Sequence, residues 1–439
     1  MKEKYSRIGI VGAGVSNIGA IRYLRSVGDF HLTLRSDKRT DNILSADRAL
    51  FGDEALSDID EELLLLSPTV RRERAELRAA KKRGTKISSD TELFFENNTA
   101  PVFGVTGSSG KSTTSFLISD ILGREHHASP PLGNYGESLC ENLGKYELYV
   151  AELSSFQLNY FAPRCKRAVL TNATPNHLDW HTDLSEYLLA KMNLLKNSED
   201  IIYDYDAPLP FEKLPRAAFA AVSSKKSYSE LSHSARAENY ITVSDETVFL
   251  NGKKYIDLGK ARRKEEYNIK NYALAIGATL GYAAPESAEA ALNSFSGLRH
   301  RAETVASMGG IKFVNSSIDT SPERTLETLR AFRGRVAVII SGKSKGLSNE
   351  MLARELPRLT SGAVLMGEVG ERVGAYLCSS DYPYIYADNM DDAVLYARSL
   401  LGGDGTVILS PAGTSFDLFK DYKERGEAFI NAVNRFICK

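Results

Sequence analysis

The sequence predicts an α/β protein of three domains, each built around a mostly parallel sheet. Short apolar runs typical of buried strands alternate with helical stretches along most of the chain. Loops rich in small and polar residues follow several of these runs, which is typical of the ligand-binding edge of a parallel sheet. The chain of 439 residues also exceeds what one hydrophobic core usually serves.

The composition is that of a globular protein without a strong charge bias. Hydrophobic residues make up 43% and charged residues 25%, and 55 Lys and Arg oppose 56 Asp and Glu. This balance predicts no affinity for nucleic acid or for anionic membranes. Four cysteines without metal-ligand spacing predict free thiols in a reducing compartment. We find neither a signal peptide nor a membrane-spanning run, so we expect a cytoplasmic location.

The first domain, residues 1–98, is predicted to be Rossmann-like. A strand at residues 8–11 leads into a glycine-rich turn and a helix, with Asn17 at the third glycine position of the dinucleotide fingerprint. The next strand ends in Arg35-Ser36-Asp37 rather than directly in an acidic residue. A nicotinamide-binding oxidoreductase therefore stays open, as does a domain that binds a different diphosphate at the helix N-terminus.

The central domain, residues 99–297, carries the strongest motif, Val-Phe-Gly-Val-Thr-Gly-Ser-Ser-Gly-Lys-Ser-Thr-Thr at residues 102–114. Gly107 and Gly110 allow backbone N–H groups to face an anion, and Lys111 offers a positive charge to terminal phosphates. The hydroxyl of Ser112 or Thr113 is suited to Mg²⁺. Because Val105 replaces the first glycine of the strict pattern, an ordinary Gly/Ser turn is the alternative to a P-loop-type ATPase.

Polar residues follow the later strands of this domain. Glu152 ends an apolar run at the same predicted edge as the phosphate loop, which makes it a natural Mg²⁺ ligand. The His-containing cluster at residues 171–181 is either structural, or metal-binding or catalytic. Lys191 lies on an amphipathic helix, where lysines usually face solvent. Asn268 and Asn271 share one helical face, and either hold a purine or are polar surface residues.

The third domain, residues 298–439, is predicted to be a second Rossmann-like sheet. Strand-like runs alternate with helical stretches, and their ends carry the loops at residues 315–317, 341–346 and 410–417. We expect these loops to lie at the ligand-binding edge of the sheet.

Taken together, these motifs resemble the Mur ligases of peptidoglycan synthesis. The resemblance rests on six blocks in the family's order, at residues 104–114, 152–158, 172–191, 267–271, 300–301 and 409–420. The final block, which ends in Arg425-Gly426-Glu427, is most like that of the D-glutamate-adding member.

The resemblance implies an activity. In such a ligase ATP phosphorylates the carboxylate of UDP-N-acetylmuramoyl-L-alanine, and the amine of D-glutamate attacks the acyl phosphate to form an amide. It implies ATP and Mg²⁺ as cofactors, with two metal sites, and a monomeric protein whose partners are these small molecules. Another Mur-type ligase with a different amino acid, or a nucleotide-binding pseudo-enzyme, remains an alternative.

The resemblance also implies roles for individual residues. Three residues depart from the family's pattern. Asn176 replaces an aspartate, which removes a charge but keeps an oxygen, whereas Ser316 replaces an aspartate of the ATP ribose contact and Ile318 a lysine near the amino-acid site. The implied sets are catalytic Lys111, Glu152, His177 and Lys191; ATP-binding Gly107, Ser108, Ser109, Gly110, Lys111, Ser112, Thr113, Asn268, Asn271 and Arg301; UDP-substrate-binding Gly14, Val15, Ser16, Ser36 and Asn134; D-glutamate-binding Thr320, Lys345, Ser415, Phe416 and Tyr422; and metal-binding Ser112, Thr113, Glu152, His177 and, as a carbamate, Lys191.

Overall fold

The fold was analysed in a computed structural model of the chain. The structure describes residues 5–37, 46–175, 180–207, 218–344 and 348–438. The chain divides into two compact units, Met1–Phe295 and Ser296–Lys439. The strands of the described residues form three sheets, two of them in the first unit, and the predicted α/β class is confirmed.

The first sheet contains five parallel strands among the described residues, in the order β3-β2-β1-β4-β5. The Leu63–Leu66 run is buried along its whole length, as a strand in the middle of a covered parallel sheet requires. The elements are β1 (Arg7–Val11), α1 (Val15–Val27), β2 (His31–Ser36), β3 (Arg48–Phe51), β4 (Leu63–Leu66), α2 (Ala75–Lys82), β5 (Lys86–Ser88) and α3 (Asp90–Asn97).

The second sheet has nine strands in the described part of the chain, in the order β14-β13-β12-β11-β10-β9-β6-β8-β7. Its neighbouring strands are parallel from β12 to β7, and β13 is antiparallel to both β12 and β14. The strands are β6 (Val102–Thr106), β7 (Ala128–Gly133), β8 (Leu148–Glu152), β9 (Arg167–Leu170), β10 (Asp200–Asp204), β11 (Ala218–Ser223), β12 (Ala237–Ser244), β13 (Thr247–Leu250) and β14 (Lys253–Asp257), and the helices are α4 (Lys111–Gly123), α5 (Ser155–Leu158), α6 (Leu184–Lys196), α7 (Tyr228–Ser234), α8 (Glu266–Thr279) and α9 (Pro285–Ser294).

The third sheet, in the second unit, is ordered β15-β16-β20-β17-β18-β19 over the residues described. Only β15 is antiparallel to its neighbour. The elements are β15 (Glu303–Met308), β16 (Ile311–Asn315), α10 (Pro322–Arg330), β17 (Val336–Ser341), α11 (Glu350–Leu359), β18 (Gly362–Leu365), α12 (Gly367–Leu377), β19 (Tyr384–Tyr386), α13 (Met390–Leu401), β20 (Gly405–Ala412) and α14 (Tyr422–Ile437).

Strand order determines which loops share an edge. In the second sheet β6 lies between β9 and β8, so the loop that follows β6 is flanked by the ends of both neighbours. In the third sheet β20 lies between the parallel strands β16 and β17, which brings the starts of the loops that follow these three strands to one edge. These two edges hold most of the candidate residues.

One strand is hard to predict from its sequence. β7 contains Pro130 and Pro131, and proline is disfavoured in central strands because it cannot donate to the ladder. The structure places β7 at the sheet edge, paired only with β8, where proline is tolerated.

Candidate functional site

The loop between β6 and α4 is built so that two of its residues must be glycine. Gly107 and Gly110 have φ angles of 154° and 79°, which other residues rarely adopt. A Cβ atom on Gly107 would also collide with the hydroxyl of Thr171, and one on Gly110 with the amide oxygen of Asn271. The loop is therefore packed tightly against β9 and α8, unlike an ordinary exposed turn.

Thr171 and Asn172, directly after β9, hold this loop in place. The amide oxygen of Asn172 accepts hydrogen bonds from the N–H groups of Ser108 and Ser109, at 3.1 and 3.0 Å. The Thr171 hydroxyl donates to the carbonyl of Ser109 at 2.5 Å. Sequence reasoning noted the cluster at residues 171–181 but assigned these two residues no role. The sequence feature that could have identified them is their position directly after β9, the strand next to β6.

Two lysines meet at the first residue of the loop. The Lys111 ammonium donates to the carbonyl oxygens of Gly107 and Ser108, at 2.9 and 3.2 Å. Lys191 donates to the Gly107 carbonyl at 2.8 Å and lies 4.4 Å from the centre of the Tyr187 ring. Only 2% of Lys191 is exposed, so the expectation of a solvent-facing lysine is wrong. Burial, and secondarily the charge of Lys111, hold the pKa of Lys191 well below its usual range.

Tyr187 ties helix α6 to the loop. Its hydroxyl lies 2.6 Å from the hydroxyl of Ser108, which also donates to the carbonyl of Thr174 at 2.7 Å. The ring forms one wall of the Lys191 environment. Because α6 carries both Tyr187 and Lys191 one turn apart, packing Tyr187 against the loop directs Lys191 inward as well.

Glu152 ends β8 on the other side of the loop, in register with Val105 of β6. It is 1% exposed, and its Oε1 atom accepts a 2.6 Å hydrogen bond from the side-chain amide of Asn134. Its Oε2 atom is buried and has no hydrogen-bond partner among the described residues. An unsatisfied carboxylate oxygen is costly to bury, so this atom fits a cation.

The donor set around the loop suits Mg²⁺. The residues that the structure describes hold no group of three or more His, Cys, Asp or Glu side chains able to form a metal site. Mg²⁺ is commonly held by one or two carboxylates together with substrate phosphates, rather than by an all-protein cage. Glu152 with the hydroxyl of Ser112 or Thr113, at the start of α4, matches that pattern. His177 lies outside the described residues.

Asn268 and Asn271 are buried on α8, 4% and 6% exposed, so the alternative of a polar surface pair is wrong. Asn271 accepts a 3.2 Å hydrogen bond from Thr114 of α4, and its amide oxygen faces Gly110. Asn268 donates to Glu265 at 2.9 Å. Asn271 thus contacts the end of the phosphate loop, while Asn268 lies one turn earlier.

The candidate residues for the UDP substrate fall at two places. Gly14 and Ser16 lie at the start of α1, and Ser36 ends the adjacent strand β2. The side chain of Asn17 donates to the carbonyls of Val11 and Gly12, both at 2.8 Å, so an asparagine closes the turn where the fingerprint has glycine. Asn134, another candidate of this set, lies instead beside Glu152. The side chain of Val15 is outside the described part.

Arg35, next to Ser36, is part of the core of the first sheet. It is fully buried, and its guanidinium forms a bidentate pair with Glu61 at 2.8 and 3.0 Å. Its carbonyl accepts a 2.7 Å hydrogen bond from the N–H of Gly12. Arg35 therefore supports the glycine-rich turn rather than facing a ligand.

The candidate residues for D-glutamate belong to the second unit. Thr320 follows β16 and Ser415 follows β20, and the two loops are joined by a 2.9 Å hydrogen bond from the N–H of Ala412 to the carbonyl of Asp319. Tyr422 begins α14, and its carbonyl accepts from the hydroxyl of Ser317 at 2.7 Å. Phe416 is 69% exposed and Ser415 3%.

Three further points concern this unit. Arg301, the candidate phosphate ligand, lies in it just before β15, whereas the phosphate loop belongs to the first unit. Ser316, where the family usually has aspartate, accepts a 3.2 Å hydrogen bond from the N–H of Ala302. Lys345 lies outside the described residues.

Sequence comparison relates the whole chain to known proteins. The Mur ligase middle domain matches residues 105–279. A UDP-N-acetylmuramoylalanine--D-glutamate ligase from Ruminiclostridium cellulolyticum is 32% identical over 98% of this chain and 97% of its own length. The chain belongs to the Mur ligase family. A second ligase of the same name, from Clostridium kluyveri, is 31% identical over 98% of this chain and 97% of its own length.

Fold comparison agrees with this membership. The UDP-N-acetylmuramate-alanine ligase of Thermotoga maritima superposes with a TM-score of 0.59 and 19% identity, covering 98% of this Mur ligase and 99% of that chain. The predicted three-domain α/β architecture is thereby confirmed, and so is the prediction of an ATP-dependent ligase of peptidoglycan precursors. Mur ligases use ATP and Mg²⁺. The oxidoreductase and pseudo-enzyme alternatives are set aside.

Two observations concern the cysteines and the length and polarity of the helices. The four cysteines are free, with Cys140 and Cys165 buried. Within the described residues, every helix is too short or too polar to cross a membrane.

Proposed function

We propose that this Mur ligase joins D-glutamate to UDP-N-acetylmuramoyl-L-alanine at the expense of ATP. The observation that carries the proposal is similarity over nearly the full length to ligases whose names specify this reaction, at 32% and 31% identity. The position of Thr320 and Ser415 in the loops that follow β16 and β20 supports it, because parallel sheets bind ligands at that edge. Tyr422 begins α14, and its carbonyl is hydrogen-bonded to Ser317 in the first of these loops.

In this proposal the phosphate loop binds the ATP phosphates and Lys111 offsets their charge. Transfer of a phosphoryl group to a carboxylate brings two anions together, so the main requirement is positive charge at a defined position. Lys111 is anchored at the first turn of α4, a helix of 13 residues whose N-terminal N–H groups add to the positive field. Asn271 holds the other end of the loop against α8.

We assign the first metal to Glu152 and to the hydroxyl of Ser112 or Thr113. Bound Mg²⁺ would neutralise phosphate charge and align the reacting groups. The unpartnered Oε2 atom of Glu152 supports this assignment, and Asn134 orients the carboxylate through its other oxygen. We assign a second site to His177 and to Lys191 after carbamylation.

The environment of Lys191 favours that modification. Carbamylation joins the lysine nitrogen to the carbon of CO₂ and releases one proton, and it requires a neutral amine. Burial beside Lys111 lowers the pKa of Lys191 and so supplies the neutral form. The product is an anion next to the Lys111 ammonium, so the two groups attract each other.

The proposal is tested by phosphate release in the presence of ATP, Mg²⁺ and UDP-N-acetylmuramoyl-L-alanine, with D-glutamate, L-glutamate, L-lysine or glycine supplied in turn. We expect release only with D-glutamate, and none from Lys111→Ala. Release with another amino acid would retain the ligase and discard the D-glutamate assignment. A fully active Lys111→Ala variant would overturn the role of the loop.

Several coarser proposals accompany this one. We assign residues 1–98 to the UDP substrate, residues 99–297 to ATP and residues 298–439 to the amino acid. The first assignment predicts that substitution of Ser36 raises the KM for the UDP substrate without changing that for D-glutamate. We also propose a monomer in the cytoplasm, which light scattering of the purified protein and fractionation of cells test directly.

A further inference from the structure

Arg425 of α14 has a fully buried guanidinium, and no carboxylate of the described residues forms an ion pair with it. Its side chain is 0% exposed, and among the described residues no acidic group lies within ion-pairing distance of it. Asp417 and Asp319 act on it only from farther away. Burial lowers its pKa to about 10, so the group remains charged at neutral pH.

The guanidinium joins the loops at the edge of the third sheet. Nε donates to the Ser317 hydroxyl and Nη2 to the Ser317 carbonyl, both at 3.0 Å. Nη2 also donates to the carbonyl of Gly413 at 3.1 Å. Nη1 is buried with no hydrogen-bond partner in the described part of the chain, and it faces the position that a side chain on Gly342 would fill. Arg425 thus contacts the loops that follow β16, β17 and β20.

Those loops carry the residues that we assign to the amino acid. Ser317 lies three positions before Thr320, and Gly413 two positions before Ser415. Tyr422 precedes Arg425 by one helical turn, and its carbonyl accepts from the same Ser317 hydroxyl that binds Nε. Every described candidate in this set therefore lies in a loop or helix that Arg425 contacts or belongs to.

A second buried arginine in the same chain shows what a purely structural role looks like. Arg35 is also 0% exposed, but its charge is matched by Glu61, and each of its three nitrogens donates a hydrogen bond. Arg425 has neither feature. A buried, unmatched cation is unfavourable unless an anion joins it in the functional state.

We propose that Arg425 is a positioning residue for the amino-acid substrate, holding its loops in register and supplying the positive charge that selects a dicarboxylate. This inference rests on the proposed D-glutamate reaction. The unpaired charge acts through a poorly polarisable interior, where it is little screened, so it favours an amino acid with a second carboxylate over its neutral amide.

The test is Arg425→Gln in the full-length protein, with Arg435→Gln as the matched control. Arg435 lies on the same helix, but its side chain is 58% exposed and paired with Asp391. For each protein we would measure the KM for D-glutamate, the KM for ATP and the UDP substrate, and the inhibition constant of D-glutamine. We expect the KM for D-glutamate to rise roughly tenfold or more in Arg425→Gln, as for loss of a charged interaction.

The preference for D-glutamate over D-glutamine distinguishes an effect of the positive charge from a purely structural role of Arg425 in holding the loops. We expect this preference to fall in Arg425→Gln and to stay unchanged in Arg435→Gln. An equal loss for both amino acids, or an equal rise of all three KM values, would overturn the inference. If Arg425→Gln does not fold, the same measurements are made on Arg425→Lys, which retains the charge. A retained preference for D-glutamate over D-glutamine would support the inference, and a lost preference would refute it. Wild-type protein that ignores D-glutamate would instead refute the proposed function.

Discussion

Lys111 and Lys191 donate hydrogen bonds to the same acceptor, the main-chain carbonyl oxygen of Gly107, at 2.9 and 2.8 Å. Two ammonium groups that share one acceptor repel each other, and Lys191 is the more deeply buried. Burial beside Lys111 lowers the pKa of Lys191 and so favours its neutral amine. Lys111 is the lysine that we assign to the phosphates.

Lys191→Ala is expected to lose nearly all ligase activity and to regain part of it when short carboxylates such as acetate or formate are added. The added anion would occupy the position of the carbamate oxygens. Phosphate release against carboxylate concentration is the measurement. Lys196→Ala, an exposed lysine on the same helix, should keep full activity. Failure of short carboxylates to restore activity to Lys191→Ala, or an equal loss of activity in Lys196→Ala, would contradict the carbamate.

Glu152→Gln is expected to raise the Mg²⁺ concentration needed for half-maximal activity by about tenfold or more, because it removes the one charged ligand assigned to the first metal. The amide retains an oxygen for Asn134, so the fold should be preserved. Glu147→Gln, an exposed glutamate just before β8, is the control. An unchanged Mg²⁺ titration would remove Glu152 from the metal site.

Glu61→Gln is expected to lower the stability of the first unit by about 3 kcal/mol or more, since it leaves the Arg35 guanidinium buried without its counter-charge. Thermal unfolding followed by circular dichroism measures the effect. Asp60→Asn, whose side chain is 69% exposed, should unfold like the wild type. Equal stability of Glu61→Gln would show that the carbonyl groups around Arg35 suffice to hold it.

Because Asp90, at the start of α3, is buried, we expect the free energy of unfolding of the protein to depend on pH. Burial raises its pKa from an ordinary value of 3.8 to about 6, although Thr91, Ser138 and Ser16 donate to it. Between these two values the folded state holds a proton that the unfolded state has lost, so stability falls as pH rises through the window and stays lower above it.

Asp90→Asn removes this dependence. Relative to the wild type, the variant should gain about 3 kcal/mol between pH 3.8 and pH 7, because each pKa unit corresponds to about 1.4 kcal/mol. Denaturant unfolding of both proteins at several pH values gives the difference directly. The exposed Asp29, changed to Asn, serves as control. A difference that does not vary with pH would mean that Asp90 titrates normally.

Prediction from sequence worked best where the signal is contiguous. The strand predicted at residues 8–11 is Arg7–Val11 in the structure, one residue longer, and the apolar run predicted to end at Glu152 is the strand Leu148–Glu152. Prediction from the sequence was wrong about solvent exposure of Lys191 and about a surface position for Asn268 and Asn271. Burial of a helical residue depends on what packs against the helix, which the sequence does not show. The assignments of His177 and Lys345 remain predictions.

The sequence by itself determined the alternation of strand and helix, the phosphate loop and the family, because each is encoded in short runs whose spacing follows backbone geometry. Only the tertiary structure decided that Asn172 supports the loop, that Asn134 orients Glu152 and that Arg425 is buried with no described acidic group within ion-pairing distance. These relationships join residues far apart in the chain. They exist because the sheets place β6 between β9 and β8, and β20 between β16 and β17.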